Sequence, residues 1–145
     1  MSDDKELKRN KDAVRRCLEE VWNGGRVDLI PELVQTSFRG HHERNRDEDI
    51  YGVEGFRACV ETVRRHLPDL RLEMVLALAE GDRVMVHLNA KGNFRGQGSD
   101  YGPARALTFT ATGILRMAEG RIAESWIIYD ALGVLQQLEL MAPLG

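Results

Sequence analysis

The chain is poor in the groups that announce common chemistries. Its 145 residues hold two cysteines, Cys17 and Cys59. Both fall on predicted helices among apolar neighbours, so they read as small buried hydrophobes rather than a disulfide or a reactive thiol. Neither sign of charge dominates: 20 basic residues face 23 acidic ones, for a net charge of −3. That balance gives no electrostatic case for a nucleic acid or an anionic membrane as partner. No signal-peptide pattern and no long apolar run occurs, and a soluble, cytoplasmic protein is expected. There is no internal repeat and no low-complexity tract. A Gly-rich phosphate cradle, a dinucleotide-binding G-x-G-x-x-G, a G-x-S-x-G elbow and a C-x-x-C pair are all missing. The nearest approach to a ligand cluster is His41-His42-Glu43. Neighbours on a strand point to opposite faces, so His41 and His42 would not share one metal. Neither a metal nor an organic cofactor is expected.

What is present is concentrated between Gly113 and Leu138. Gly113–Met117 and Arg121–Tyr129 are rich in β-branched, aromatic and long apolar residues. Ala118-Glu119-Gly120 separates them, with Gly120 free to take positive φ, which predicts a tight antiparallel hairpin. Asp130 stands where the second strand ends and an apolar-periodic segment begins. It is placed to cap a helix carrying Leu132, Leu135 and Leu138. The strand from Arg121 is apolar on both parities: Ile122, Trp126 and Ile128 on one, Ala123, Ile127 and Tyr129 on the other. A strand with one wet face alternates cleanly. Both faces of this one are expected to be covered, one by helices or a pocket and the other by a second layer or a second subunit. A homodimer is therefore expected.

The remainder reads as helices followed by a meander. Ala13, Val14, Cys17, Leu18, Val21 and Trp22 follow helical spacing up to Asn23-Gly24-Gly25. Asp28 is placed to cap a short second helix with Leu29, Leu33 and Val34 inward and Pro31 in its first turn. A short strand is expected over Phe38–His42, then a charged loop over Glu43–Asp49, either a lid or a solvated surface loop. A third helix spans Gly52–Leu67, with Phe56, Val60, Val63 and Leu67 on one stripe and Pro68 ending it. Leu70, Leu72, Met74, Leu76 and Leu78 then alternate against Arg71 and Glu73. Gly81-Asp82 turns the chain into Val84, Val86 and Leu88. Gly92–Pro103 is a glycine-rich loop with a short strand around Phe94, and Leu107–Met117 is the next strand. Helices first and an antiparallel sheet after them make one α+β domain over residues 1–145.

The string G-R-I-x-E-x-W-x-x-x-D-x-L-G-x-L-x-Q-L from Gly120 to Leu138 resembles the C-terminal signature of the SnoaL-like polyketide cyclases. These belong with nuclear transport factor 2 and ketosteroid isomerase in one broad group. Leu67-Pro68-Asp69-Leu70, Gly81-Asp82-Arg83-Val84 and Gly52-Val53-Glu54-Gly55 resemble further segments of that family in the same order. The resemblance implies a cone-shaped curved antiparallel sheet, closed by three N-terminal helices around an apolar pocket. In those cyclases an Asp directly after the Trp of E-x-W is the general base, and a His on the preceding strand assists it. The matching positions here are Ile127 and Gly113, and Phe94 stands where the family often has another His. The implied acid–base pair is therefore absent, and one fold hosts many reactions.

The remaining candidates are few. Tyr129 shares the parity of Ile127 and suits an oxyanion donor, or else a Tyr with its ring buried and its hydroxyl at the rim. Asp130 is a helix cap or a base. His41 matches a position where the family often has a polar residue near the pocket, and its ordinary pKa suits proton transfer. His87 reads as a core residue or a pocket one, and Arg116 as solvent-facing. Trp22, Phe56, Phe94 and Trp126 are core residues of which one or two would stack on a flat ligand. The resulting expectation is a cofactor-independent cyclase or isomerase of polyketide or related secondary metabolism. It would act on an apolar, partly aromatic intermediate, with His41 or Asp130 as acid–base group and Tyr129 as donor. Alternatives are a non-catalytic protein that sequesters an apolar or polycyclic metabolite, an epoxide-opening enzyme, and a dimerisation module with a filled cone.

Overall fold

A computed structural model describes residues 2–41, 46–95 and 104–140. The chain opens with helix α1 (Ser2–Arg16), which runs on without a break as a π-helix over Cys17–Asn23. A 3-10 turn (Val27–Leu29) leads into the one-turn helix α2 (Ile30–Leu33). Strand β1 (Val34–His41), the two-residue β2 (Ile50–Tyr51) and helix α3 (Gly52–His66) follow. Then come β3 (Arg71–Glu80), β4 (Arg83–Phe94), β5 (Arg105–Ala118), β6 (Arg121–Tyr129) and α4 (Ala131–Gln137). The strands form one six-stranded sheet in the order β2-β1-β6-β5-β4-β3. Every pairing is antiparallel except β1 with β6, which is parallel, so the curved sheet is mixed.

Local chemistry sets the turns. Between β5 and β6, Glu119 and Gly120 both take positive φ, 54° and 77°. That is the two-residue turn whose twist matches its flanking strands. Gly81 takes φ 58° in the turn between β3 and β4. Pro31 occupies the first turn of α2, where no amide is needed. Asp28 does not cap that helix: its carboxylate is held by Arg26 at 2.9 Å, and Val34 already belongs to β1.

The inner face of the sheet packs on the helices. Val14, Cys17 and Val21 of the first helix meet Val84, Val86 and Leu88 of β4, Ala111, Leu115 and Met117 of β5, and Phe38 and Phe56. Phe56 packs edge-on against both Phe38 (5.2 Å) and Trp22 (6.0 Å), filling the middle of the cone. A smaller cluster of Leu67, Leu70, Ala90 and Leu107 lies toward α4.

Two irregularities redirect side chains. A register shift between Met74 and Leu76 puts an extra residue, Val75, into β3. Leu72 and Met74 therefore face inward, but Leu76 and Leu78 face outward and are at least half exposed, while Ala77 and Ala79 pack on the core. The unbroken alternation expected from Leu70 to Leu78 is corrected by that bulge. A second shift between Arg116 and Met117 lets Ile122 and Ala123 both be buried. Beyond it Ser125, Ile127 and Tyr129 share the inner face. Val134 of α4 and Leu138 just after it face inward, while Leu132 and Leu135 of the expected stripe remain exposed. His42, the expected end of the first strand, part of the expected charged loop (43–45) and part of the glycine-rich loop (96–103) lie outside the described residues. Among the described residues no helix is long and apolar enough to cross a membrane.

Candidate functional site

A cavity of about 900 Å³ opens between the first helix and the part of the sheet built by β3, β4 and β5. Leu18, Leu72, Met74, Ala90 and Phe109 supply its apolar lining. Arg15, Glu19 and Asp130 bring charge to it, and Arg71, Glu73, Asn89, Lys91, Thr108 and Thr110 also border it, from strand positions whose side chains alternate to the outer face. Small-molecule sites typically fall in the range of about 300–1,000 Å³. Leu18 and Glu19 lie on the π-helical segment, where Gly24 N–H donates to Glu19 C=O at 3.0 Å, five residues back. Such widened turns recur at functional sites. Across the cavity Asp130 caps α4: its Oδ1 accepts from the Gly133 amide at 2.9 Å. The strand end is fixed by Asp130 N–H donating to Thr110 C=O at 3.1 Å. Arg15 is tethered between Asp12 (3.4 Å) and the Met74 sulfur (3.9 Å).

Of the residues expected to form the site, Asp130 lines this cavity. Tyr129 is next to it on the inner face, half exposed, with its ring edge-on to Phe109 at 5.9 Å. Trp22 and Phe56 lie in the packed middle of the cone. Phe94, at the end of β4, stacks on His66 at 5.7 Å and packs with the smaller cluster. Gly113 and Ile127 are direct cross-strand partners on the inner face. A Cβ on Gly113 would come within 3.1 Å of Ile127 Cγ1, so the isoleucine occupies the room that a side chain at 113 would use. The two positions at which the related cyclases carry their pair thus form one apolar unit.

Three expected residues lie on the opposite face of the sheet. His41, Trp126 and His87 alternate outward and do not line this cavity; Trp126 instead lines a second hollow of about 540 Å³ on the outer face, with Arg83, Met85, Ile114 and Ile128. His41 pairs with Trp126 across the β1–β6 ladder and stacks on its indole at 4.9 Å and 11°. Arg83 covers the indole at 5.4 Å. Trp126 is consequently half-buried on the outer face and is not part of the core. His41 Nε2 meets Glu124 Oε2 at 2.5 Å, and its Nδ1 lies 3.5 Å from Asp49 Oδ2. Glu124 accepts from Arg116 at 2.9 Å, and Asp49, whose side chain is fully buried, is held by Arg39 at 3.0 Å. The hydrogen bond from His41, with help from Arg116, holds the Glu124 carboxyl below its ordinary pKa. The imidazole's two nitrogens face two separate carboxylates, and no three such groups converge on a metal position among the described residues. His87 Nδ1 and Thr112 Oγ1 satisfy each other at 3.0 Å.

Sequence reasoning missed Glu19, Arg15, Met74 and Phe109. The first two look like ordinary solvated positions on an amphipathic helix, and nothing in their spacing announces a π turn. Phe109 carried a signal, as an aromatic on the inward parity of a predicted strand, two residues from Leu107 and Ala111.

The fold is shared by many solved structures. A Bacillus cereus ATCC 10987 protein assigned as a polyketide cyclase is 29% identical, with a TM-score of 0.76 over 92% of this chain and 83% of that one. A SnoaL-like protein of Jannaschia sp. CCS1, assigned likewise, is 23% identical with a TM-score of 0.81 and 95% coverage of both chains. IdmH of Streptomyces antibioticus, a third protein so assigned, is 22% identical with a TM-score of 0.78 over 90% of this chain and 98% of its own. No curated protein shows significant similarity in sequence. The family model for SnoaL-like polyketide cyclases matches residues 12–138, nearly the whole chain. The protein belongs to the SnoaL-like polyketide cyclase family.

Proposed function

We propose that the protein is a cofactor-independent cyclase or isomerase acting on an apolar, partly aromatic intermediate of polyketide or related secondary metabolism. The observation that carries this reading is a cavity of about 900 Å³ with an apolar floor of Leu72, Met74, Ala90 and Phe109, bordered by the carboxylates of Glu19 and Asp130 among its charged residues. Ring closure or double-bond migration of an activated ketone needs a group to take a proton from carbon, one to return it, and an apolar bed that holds the chain folded. Leu72, Met74, Ala90 and Phe109 supply the bed. Asp130 is the proposed base, held in place by the Gly133 amide. Tyr129, beside it, is the proposed donor to the developing enolate. With Ile127 over Gly113, the inner face offers no ionisable group where the related cyclases keep theirs, so proton transfer falls to the cavity carboxylates.

That same Ile127–Gly113 unit favours a second reading, in which the cavity binds and sequesters an apolar metabolite without converting it. The two are separated by titrating the protein with a polycyclic aromatic ketone, followed by chromatography of the products. Turnover that falls about 10²–10⁴-fold in Asp130→Asn, with the melting midpoint kept, supports acid–base catalysis. Asn is also a good helix cap, so folding should survive the change. Saturable binding with no product supports sequestration.

A further inference from the structure

The first helix ends in a residue whose side chain acts as a piece of strand. β3 is an edge strand, so its amides and carbonyls that point away from β4 need another partner. At Leu72 that partner is Asn23, the last residue of the π-helix. Leu72 N–H donates to Asn23 Oδ1 at 2.6 Å, and Asn23 Nδ2 donates to Leu72 C=O at 2.9 Å. One carboxamide thus satisfies both backbone groups of one edge residue, as a neighbouring strand would. The helix end is itself fixed. Arg64 of α3 donates to the carbonyls of Trp22 at 2.7 Å and Asn23 at 3.0 Å. The amides of Gly24 and Gly25 donate back to Glu19 and Val21 C=O, each at 3.0 Å.

These contacts sit at the cavity. Leu18 and Glu19 of the helix border it from one side, and Leu72 and Met74 of β3 from the other. A contact ties the two walls on either side of Leu18 and Glu19. Before them Arg15 reaches the Met74 sulfur, a long contact of 3.9 Å from a half-exposed side chain. After them Asn23 grips Leu72 with two short hydrogen bonds. That grip holds the stretch of β3 whose Leu72 and Met74 face inward, ahead of the bulge at Val75. We propose that Asn23 is a positioning residue for the cavity. Through Leu72 it fixes the separation of the helix wall from the β3 wall, and with it the size of ligand admitted. The proposal rests on the reading of this cavity as a ligand site. A bond of the same form elsewhere on the sheet has no such effect. Asp69 accepts from Asn93 N–H and from Asn93 Nδ2, each at 2.8 Å, and neither residue lines the cavity.

The test compares size discrimination with stability. Asn23→Asp keeps the shape of the side chain but has no N–H to give, so it loses the bond to Leu72 C=O and sets a carboxylate oxygen beside it. Asn23→Ala loses both bonds; if it does not fold, Asn23→Asp alone decides. Naphthol and alizarin, planar phenols of unequal length, are the probes, titrated by their own absorbance and fluorescence. A fixed apolar pocket separates ligands that differ by one methylene by about 10–200-fold. Loss of the tie should therefore move the ratio of the two dissociation constants about tenfold in favour of alizarin. Asp69→Ala should lower the melting midpoint and leave that ratio at the wild-type value. A ratio unchanged in the Asn23 variants, whatever their midpoints, overturns the proposal and leaves the tie a matter of stability alone. So does an equal shift in Asp69→Ala. Wild-type protein that binds neither probe would instead bring down the reading of the cavity as a ligand site, and this proposal with it.

Discussion

At the scale of single residues, the informative pair is Gly113 and Ile127. The sequence alone told that both ionisable groups of the family were missing there, because each position could be matched to a motif. It did not tell that one residue fills the other's space, since that depends on register across two strands. The consequence is measurable. Gly113→Ala sets a methyl 3.1 Å from Ile127 Cγ1 and is expected to destabilise by about 1–3 kcal/mol through overpacking. In an Ile127→Ala background much of that cost should vanish. Denaturant unfolding of the two single variants and the double variant should give a coupling of about 0.5–2 kcal/mol, and additivity would show that the two side-chain spaces are independent. Cys17 offers a second check. Burial pushes its thiol up to about 12, so at pH 8 it should resist a thiol reagent in the native protein and react fully only after unfolding. Rapid native labelling of Cys17 would contradict its place in the core.

At the scale of elements, helices and strands were largely legible because their apolar periods are long and their turns carry glycine. The faces were not legible wherever a strand bulges. Val75 moves Leu76 and Leu78 from the helix side to the outer side, and no residue type marks it. The orientation of β1 was hidden for a different reason: its partner is β6, and parallel pairing leaves no turn signal between them. That pairing carries His41 away from the cavity. His41→Gln should therefore leave turnover at the wild-type rate while lowering the melting midpoint, and a loss of turnover with the midpoint unchanged would contradict the placement. The same network predicts an acid sensitivity. Glu124 is held below its ordinary pKa, first by His41 and then by Arg116. A carboxylate with a depressed folded pKa contributes stability that is fully present above its unfolded value, about 4.3, and is lost as pH falls through the folded one. Melting midpoints should thus drop on acidification below about pH 4.3, and Glu124→Gln should flatten that drop. Equal slopes for the two proteins would remove Glu124 from the account.

At the scale of the whole molecule, the sheet separates two surfaces: an inner one that shapes a cavity with the helices, and an outer one that carries His41, Trp126 and His87. The α+β class was readable because helical and strand periods are segregated along the chain, and the cone because the Gly120–Leu138 string resembles the cyclase family. The location of the cavity was not, because it depends on where Phe38, Phe56 and Trp22 fill the cone and where small Ala90 leaves room. The order β2-β1-β6-β5-β4-β3 has one more consequence, in time rather than space. His41 and Glu124 touch although 83 residues separate them. A ribosome adding about 5–20 residues per second needs several seconds to cross that interval. During those seconds β1, with buried Val34 and Phe38, has no long strand to pair with, and α3 has only a two-stranded ribbon beneath it. Stalled chains that end before Arg121 should therefore be cut readily by protease within β1, whereas chains extended well past Tyr129 should be protected there.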